Sequence, residues 1–370
     1  MSVITSSSVV ENRGEPDVWE VASGIDSLYM SGRVEATNSV LDRLQTAREV
    51  ANEADEPVGI EFGGVDFEIA PYKFGRYKYR LEHAFGLVGI SPGKSLPTVR
   101  VQPWSEFLHR AGVEEVVRFY RRVIEREMGS VELGAARLDL YIDTQGWTPG
   151  VDERRRFVSR ASSVGGFEDN DEFNGLTFGK RKTNIVYARI YDKTIEIRKK
   201  KDYFVEQVWG DRYVRSLPVV RTEFQIGRDG LVAYGIDTVE EAIRNAPGLW
   251  AGLTNDWLSL REVGTDSNRS RWVVAPEWKA IQSASLASGA VGLKRMAKDH
   301  KSADLMSLLP GLTGYVSSVA AIKGGNSISE TLAQCEGLIR AYSNISDIAF
   351  ESRVATKRGE RSFTIPESLQ

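Results

Sequence analysis

The sequence predicts an α+β fold: a mixed or antiparallel sheet with helices on one face, followed by an all-helical C-terminal unit. Up to about residue 236, period-two runs rich in Val, Ile, Tyr and Phe alternate with helical patterns across short, hairpin-like connections. From Asp237 onward strand patterns stop and helical stripes remain. The expected organisation is a flexible arm over 1–20, an α+β domain over 21–236, a helical domain over 237–345 and a disordered tail over 346–370.

Residues 1–20 are polar and Ser-rich, without periodicity. Ser27 to Ala36 reads as a strand, and Asn38-Ser39 then caps a helix with Leu41, Leu44, Ala47 and Ala51 on one side. Ile60-x-Phe62 and Val65-x-Phe67-x-Ile69 flank Gly63-Gly64 as a hairpin. Over Tyr72 to Arg80, the cations Arg76, Lys78 and Arg80 alternate with Tyr77, Tyr79 and Leu81. Interleaved bases and aromatics suit a strand that tracks phosphates, and a half-buried strand with a solvated cationic face produces the same pattern.

Thr98 to Gln102 is a further strand, Ser105 to His109 a short helix, and Val113 to Met128 an amphipathic helix with Val116, Val117, Tyr120, Val123 and Ile124 along its apolar side. A strand over Arg137 to Asp143, a helix over Asp152 to Ser162 and a Gly- and acid-rich loop over Val164 to Asn174 are expected next. Lys193 to Gly210 reads as helical, with Val205, Val208 and Trp209 inward. In the last third, Thr238 to Glu241 is a capping box, Pro247 stands like the first residue of a new helix, and Leu249, Leu253, Trp257 and Leu260 form a stripe. Helical pieces run on to about Ser343, with breaks expected at Gly289, Pro310-Gly311 and Gly324-Gly325.

Composition narrows the function classes. The chain is 41% hydrophobic and 27% charged with a net charge of −3, so it is not a generally basic protein that coats DNA. Cys335 is the single cysteine, which excludes an intramolecular disulfide and a cysteine-built zinc site. No apolar run approaches the roughly 20 residues that span a bilayer. Met1 to Asn12 shows neither a basic start nor a long apolar core, so a cytoplasmic protein with no membrane partner is expected.

Positive charge is local instead. Between Lys180 and Lys201 nine Lys and Arg residues face only Asp192 and Glu196. The stretch from Phe178 to Glu196 reads as a strand end, a basic turn and a second strand. A period of two puts Tyr187, Arg189, Tyr191 and Lys193 on one face and Val186, Ala188 and Ile190 on the other. Lys180, Arg181 and Lys182 form a cationic lip where a phosphate backbone can rest.

Three segments in order, Arg137-x-Asp139-x-x-x-Asp143, Gly179-x-Arg181 leading into Arg189-Ile-Tyr-Asp-Lys193-x-x-Glu196, and Arg221-x-Glu223, resemble the rolling-circle replication initiators of the plasmid Rep_trans type, a group that includes some relaxases of integrative elements. The resemblance covers roughly residues 55 to 235. It implies metal-dependent, site-specific DNA nicking and joining through a tyrosine nucleophile that becomes a 5′-phosphotyrosine. Tyr191 matches the family tyrosine, with Tyr187 and Tyr141 as rivals. A phenol with a reference pKa of about 10 needs help to attack at neutral pH, and Arg189 and Lys193 are the neighbours placed to give it.

The implied cofactor is Mg²⁺ or Mn²⁺, held by oxygen ligands because His83, His109 and His300 are scattered. Asp139 and Asp143 share a strand face but lie about 13 Å apart at about 3.3 Å per residue, too far to chelate one ion. Ligands from different strands are therefore expected: Asp139 with Glu223, and Glu196 as the third. Asp143 is expected to orient an arginine or end the strand.

The expected partner is DNA at an origin of replication or transfer, contacted by Lys180, Arg181, Lys182, Arg76, Lys78 and Arg80. A host helicase and self-association are compatible with that role, and the helical unit is expected to carry origin specificity. The alternatives are a conjugative relaxase with the same chemistry, a sequence-specific DNA-binding copy-control protein without catalysis, and an adaptor with no nucleic-acid role. The plainer reading of Arg137, Asp139, Arg221 and Glu223 is a salt-bridge lattice on a sheet face, with Tyr191 an ordinary packed aromatic.

Overall fold

Eleven strands join into one antiparallel sheet, and the alternation of their side chains decides everything that follows. The computed structural model describes residues 18–169, 172–181, 185–287, 293, 303–346, 349–352, 354–355 and 363–364. Most of the expected arm and tail, together with Lys182, Thr183, Asn184 and Gly289, lie outside these residues.

The long strand β1 (Trp19–Gly32) is followed by α1 (Asn38–Ala54), whose N-cap is Thr37 and not Asn38, its hydroxyl accepting from the Val40 N–H. Then come β2 (Val58–Phe62), β3 (Val65–Ile69), β4 (Tyr79–His83), β5 (Gly86–Ile90) and β6 (Val99–Pro103). Gly63 and Gly64 turn the β2–β3 hairpin with φ of 62° and 81°, the pair of left-handed residues a two-residue turn requires. Helices α2 (Ser105–Ala111) and α3 (Val113–Met128) lead to β7 (Leu133–Gln145), the short β8 (Phe157–Ser159), β9 (Val164–Asp169), β10 (Glu172–Phe178) and β11 (Val186–Asp192). After α4 (Lys193–Lys200) and α5 (Phe204–Val208), β12 (Val220–Gly227) completes the sheet in the order β2-β3-β4-β5-β6-β1-β7-β12-β11-β10-β9. Helix α6 (Arg228–Ala233), α7 (Val239–Gly252), β13 (Leu258–Leu260) and α8 (Pro276–Gln282) follow.

One face of the sheet is apolar. Leu28, Met30, Leu81, Val101, Leu140, Ile190 and Phe224 alternate inward and meet buried residues of α1, α3, α7 and α8 in a single core. This is the expected α+β architecture, a large antiparallel sheet backed by helices. The opposite face carries the polar partners of the same alternation.

Several expectations are corrected. The helix expected over 152–162 is a 3₁₀ turn at Val151–Arg155 followed by β8, because β13 pairs with that segment and Phe157 buries against Phe178 and Trp278. Of the loop expected over 164–174, residues 164–169 belong to β9 and 172–174 to β10, whose backbone groups pair with each other and, from β10, with β11. Of the strand expected over 72–80, only Tyr79 and Arg80 belong to β4; Phe74 and Tyr77 exchange backbone bonds of 3.2 and 2.9 Å around Gly75. Pro247 lies inside α7 instead of starting a helix, with Ala246 and Leu249 buried beside it.

The C-terminal unit, expected to be all-helical from 237, begins later and carries two short strands beside its helices. The chain divides at Lys294/Arg295, and α7, β13 and α8 belong to the sheet's own core, where Trp250 and Trp278 are fully buried. A truncation at Tyr234 would strip both tryptophans from that core. The second unit holds β14 (Ala303–Asp304), α9 (Leu305–Lys323), α10 (Ile328–Ser346) and β15 (Phe363–Thr364). Gly324-Gly325 separates its helices as expected, whereas α9 runs through Pro310-Gly311. Among the described residues, no helix is long and apolar enough to cross a membrane.

Candidate active site

Three adjacent strands bring the three motif segments together. In register, Tyr187, Gln225 and Asp139 form one row across β11, β12 and β7; Arg189, Glu223 and Tyr141 form the next; Tyr191, Arg221 and Asp143 form the third. Because strand side chains alternate, all nine lie on the polar face. Residues up to about 85 positions apart in sequence thus become a contiguous grid.

The third row is the most deeply buried. Arg221, 1% exposed, donates from Nε and Nη2 to the two Asp143 oxygens at 2.7 Å each, and from Nη1 to Asp26 Oδ1 at 2.7 Å. Its guanidinium lies 4.0 Å from the Tyr141 ring centre. The Trp209 indole N–H donates to Asp143 Oδ2 at 2.7 Å. Asp26 enters the grid through a bulge in β1 between Ile25 and Ser27, which re-aims its side chain. Burial pushes the Asp26 carboxyl up, but Arg221, His109 and Lys193 overcome it and hold it well below its ordinary value. Burial likewise opposes the Arg221 charge, and Asp143 and Asp26 more than offset it. Asp143 therefore orients an arginine, as expected.

Around Tyr191 the arrangement is tighter than the sequence implies. Its hydroxyl lies 3.1 Å from Glu196 Oε2 and 3.2 Å from Glu223 Oε2, and the residue is 3% exposed. Arg189 Nη2 donates to both Glu223 oxygens at 2.7 Å, and its guanidinium stands 4.8 Å over the Tyr191 ring. Arg189 Nε is buried and has no hydrogen-bond partner among the described residues. Burial, reinforced by Glu223 and Glu196 and opposed by Arg221 and Arg189, raises the Tyr191 phenol well above its ordinary value. The cations expected to favour a phenolate are outweighed, so the hydroxyl keeps its proton in this arrangement.

Glu196 sits in the first turn of α4, capped by Asp192, which accepts from the Ile195 N–H at 3.0 Å. It is ion-paired with Lys193 and accepts from Lys200 Nζ at 2.8 Å. Burial raises its pKa, but the two lysines bring it down to about 2. Asp139 accepts from Arg137 Nε at 2.7 Å. Burial, with Glu223 adding to it and Arg137 pulling the other way, carries Asp139 up to about 7.

Asp139, Glu223 and Glu196, expected to share one divalent ion, are thus held by separate cations: Arg137, Arg189, and Lys193 with Lys200. Among the described residues no group of three or more His, Cys, Asp or Glu is placed to hold a metal ion. The residues present do not fit a preformed ion site; they form a charge-compensated lattice.

The rival tyrosines separate by exposure. Tyr141 is buried under Arg221, and burial raises its phenol. Tyr187 is half-buried at the lip, with the Arg181 guanidinium 6.0 Å from its ring centre and Arg181 Nε donating to Gln225 Oε1 at 3.2 Å. Lys180 and Arg181 are exposed there. Arg80 is not brought to Tyr191, since β4 lies six strands along the sheet from β11, and Arg76 and Lys78 lie in the turn that precedes β4. Sequence reasoning missed Asp26, Trp209 and Tyr29. A bulge, a residue following α5 and a strand 108 positions from Arg137 leave no local signal.

No protein-family model matches this chain, and no curated protein matches it. One solved structure that aligns with it is a rolling circle replication initiator protein from Geobacillus stearothermophilus, at 17% identity, covering 76% of this chain and all of that one with a TM-score of 0.43.

Proposed function

We propose that the protein is a rolling-circle replication initiator that nicks DNA and transfers the strand through Tyr191. The carrying observation is convergence: the three segments that carry the motif resemblance are centred on β7, β12 and β11, side by side, and they bring Glu223 and, from the start of α4, Glu196 to the Tyr191 hydroxyl. Arg189 Nε, buried and without a hydrogen-bond partner among the described residues, is a donor that a phosphate oxygen reaches once the face opens.

Attack forms the Tyr191 Oη–P bond as the P–O3′ bond breaks. The phenol proton passes to Glu223, 3.2 Å away, and the 3′ oxygen is protonated from solvent. Glu196, whose two lysines hold its pKa near 2, is a weak base. One phosphoester replaces another, so the strand can later be rejoined. The buried, protonated phenol requires that DNA binding open the face before attack.

That same burial favours a second reading, a DNA-binding protein that retains the lattice as structure and does not cut. Incubating the protein with supercoiled DNA carrying its own gene, with and without Mg²⁺ or Mn²⁺, separates the two. Nicking, lost in Tyr191→Phe, supports the first reading. Retarded but uncut DNA supports the second. A nucleotide recovered by mass spectrometry on Tyr187 would move the nucleophile to the lip.

A further inference from the structure

The polar face does not end at the lattice. Across β7, β1, β6, β5 and β4 it continues as an alternation of flat rings and guanidinium groups. Arg137 stands 4.8 Å over the Tyr29 ring centre, and Arg100 lies 5.7 Å from the same ring on its β6 side. Arg100 and Arg80 are each 5.9 Å from Phe74, and Arg80 is 5.0 Å over Tyr72.

The register explains the order. Arg80 pairs with Gly89, and Gly89 pairs with Arg100. Gly89 has no side chain, and a Cβ there would come within 2.7 Å of Phe74 Cδ1. The 72–78 turn therefore folds over the sheet at the glycine and seats Phe74 between the two arginines. Tyr72 at the outer end is 55% exposed.

The charges here differ from those of the lattice. Arg80 has a carboxylate, Glu82, but Arg100 and Arg76 pair with no carboxylate among the described residues. Stacking on a ring leaves a guanidinium charged and free to donate at its edge. Four interstrand steps of about 4.8 Å make the row roughly 19 Å long. It ends at Arg137, which bonds Asp139 of the lattice.

We propose that this row is a binding track for single-stranded DNA, in which Tyr72, Phe74 and Tyr29 offer stacking surfaces to bases and Arg80, Arg100 and Arg137 contact phosphates, leading the strand toward Tyr191. The assignment to DNA rests on the function proposed above. A duplex hides its base faces and does not exploit the rings; a single strand presents bases and phosphates in the alternation the track has.

The test uses the full chain and fluorescence anisotropy with a labelled oligo-dT, a hairpin duplex and an oligo-U of equal length. Tyr72→Ala, at an exposed position, and Phe74→Ala are each expected to weaken oligo-dT binding by about tenfold, with duplex binding unchanged. Arg100→Ala should lower the salt slope by about 0.7, one single-strand phosphate. Wild-type oligo-dT affinity in Tyr72→Ala and Arg100→Ala, with unchanged unfolding midpoints, overturns the track. Tighter ring-dependent binding of oligo-U overturns the assignment to DNA. If plasmid nicking persists while the ring variants bind oligo-dT normally, the track falls and the nicking function stands. Ring-dependent binding without nicking leaves the track standing and sinks the nickase.

Discussion

Two halves of one sheet face differ in how far they neutralise their arginines. On β7, β12 and β11, Arg221 and Arg189 are locked to carboxylates, with Arg221 and Asp143 removed from water altogether. On β6, Arg100 lies against Phe74 and Tyr29 with no carboxylate partner among the described residues, while Arg80 on β4 stacks on Tyr72 and also pairs with Glu82. A carboxylate cancels the charge and fixes the side chain, whereas a ring fixes the side chain and leaves the charge available. The first half is therefore built to hold one geometry and the second to attract a polyanion.

The contrast is broken or sharpened most strongly at its most buried pair. Arg221→Met should destabilise the fold by about 3–5 kcal/mol, because Asp143 and Asp26 lose their partner in a dry site. Arg100→Met should remove about 1 kcal/mol or less. Urea unfolding measures both, and equal losses would erase the distinction between the halves.

Proton linkage comes next. The unfolded Asp139 releases its proton near pH 3.9 and the folded one near 7. Between these values the folded state binds more protons, so Asp139 should make stability fall as the pH rises from about 4 to about 7, with no further change above. Glu196 acts the other way. Its folded pKa of about 2 lies below the unfolded value of about 4.3, so its contribution is present above that value and disappears as the pH falls toward 2. Asp139→Asn should flatten the upper window only, and Glu196→Gln the lower only; stability measured from pH 3 to 8 in the two variants decides it.

A smaller effect belongs to the phenol. Tyr191→Phe removes one hydroxyl and little volume, so stability should drop by about 1 kcal/mol. Any covalent DNA adduct should vanish completely, and an adduct surviving in this variant would detach Tyr191 from the chemistry.

The smallest stability effect is expected at the lip. Changing Lys180, Arg181 and Lys182 together to Ala should alter unfolding by no more than about 0.5 kcal/mol. The slope of log K against log salt for duplex DNA should fall by about two to three. An unchanged slope would mean these side chains make no phosphate contact.

By itself, the sequence determined the local elements and the faces of the strands. The Gly63-Gly64 hairpin, the helix over Val113–Met128, the capping box at Thr238 and the sorting of Tyr187, Arg189 and Tyr191 from Val186, Ala188 and Ile190 all follow from spacing and turn chemistry, which act over a few residues. Tertiary structure alone decided what depends on distant partners. Phe157 to Ser159 became a strand because β13 lies beside it, and α7 and α8 joined the sheet because Trp250 and Trp278 fill its core. The same holds for Tyr191: its neighbours in sequence, Arg189 and Lys193, suggest an easily ionised phenol. Burial together with Glu223, brought alongside by strand pairing, reverses that, since a charge's worth is set by the medium and neighbours that only the folded chain supplies.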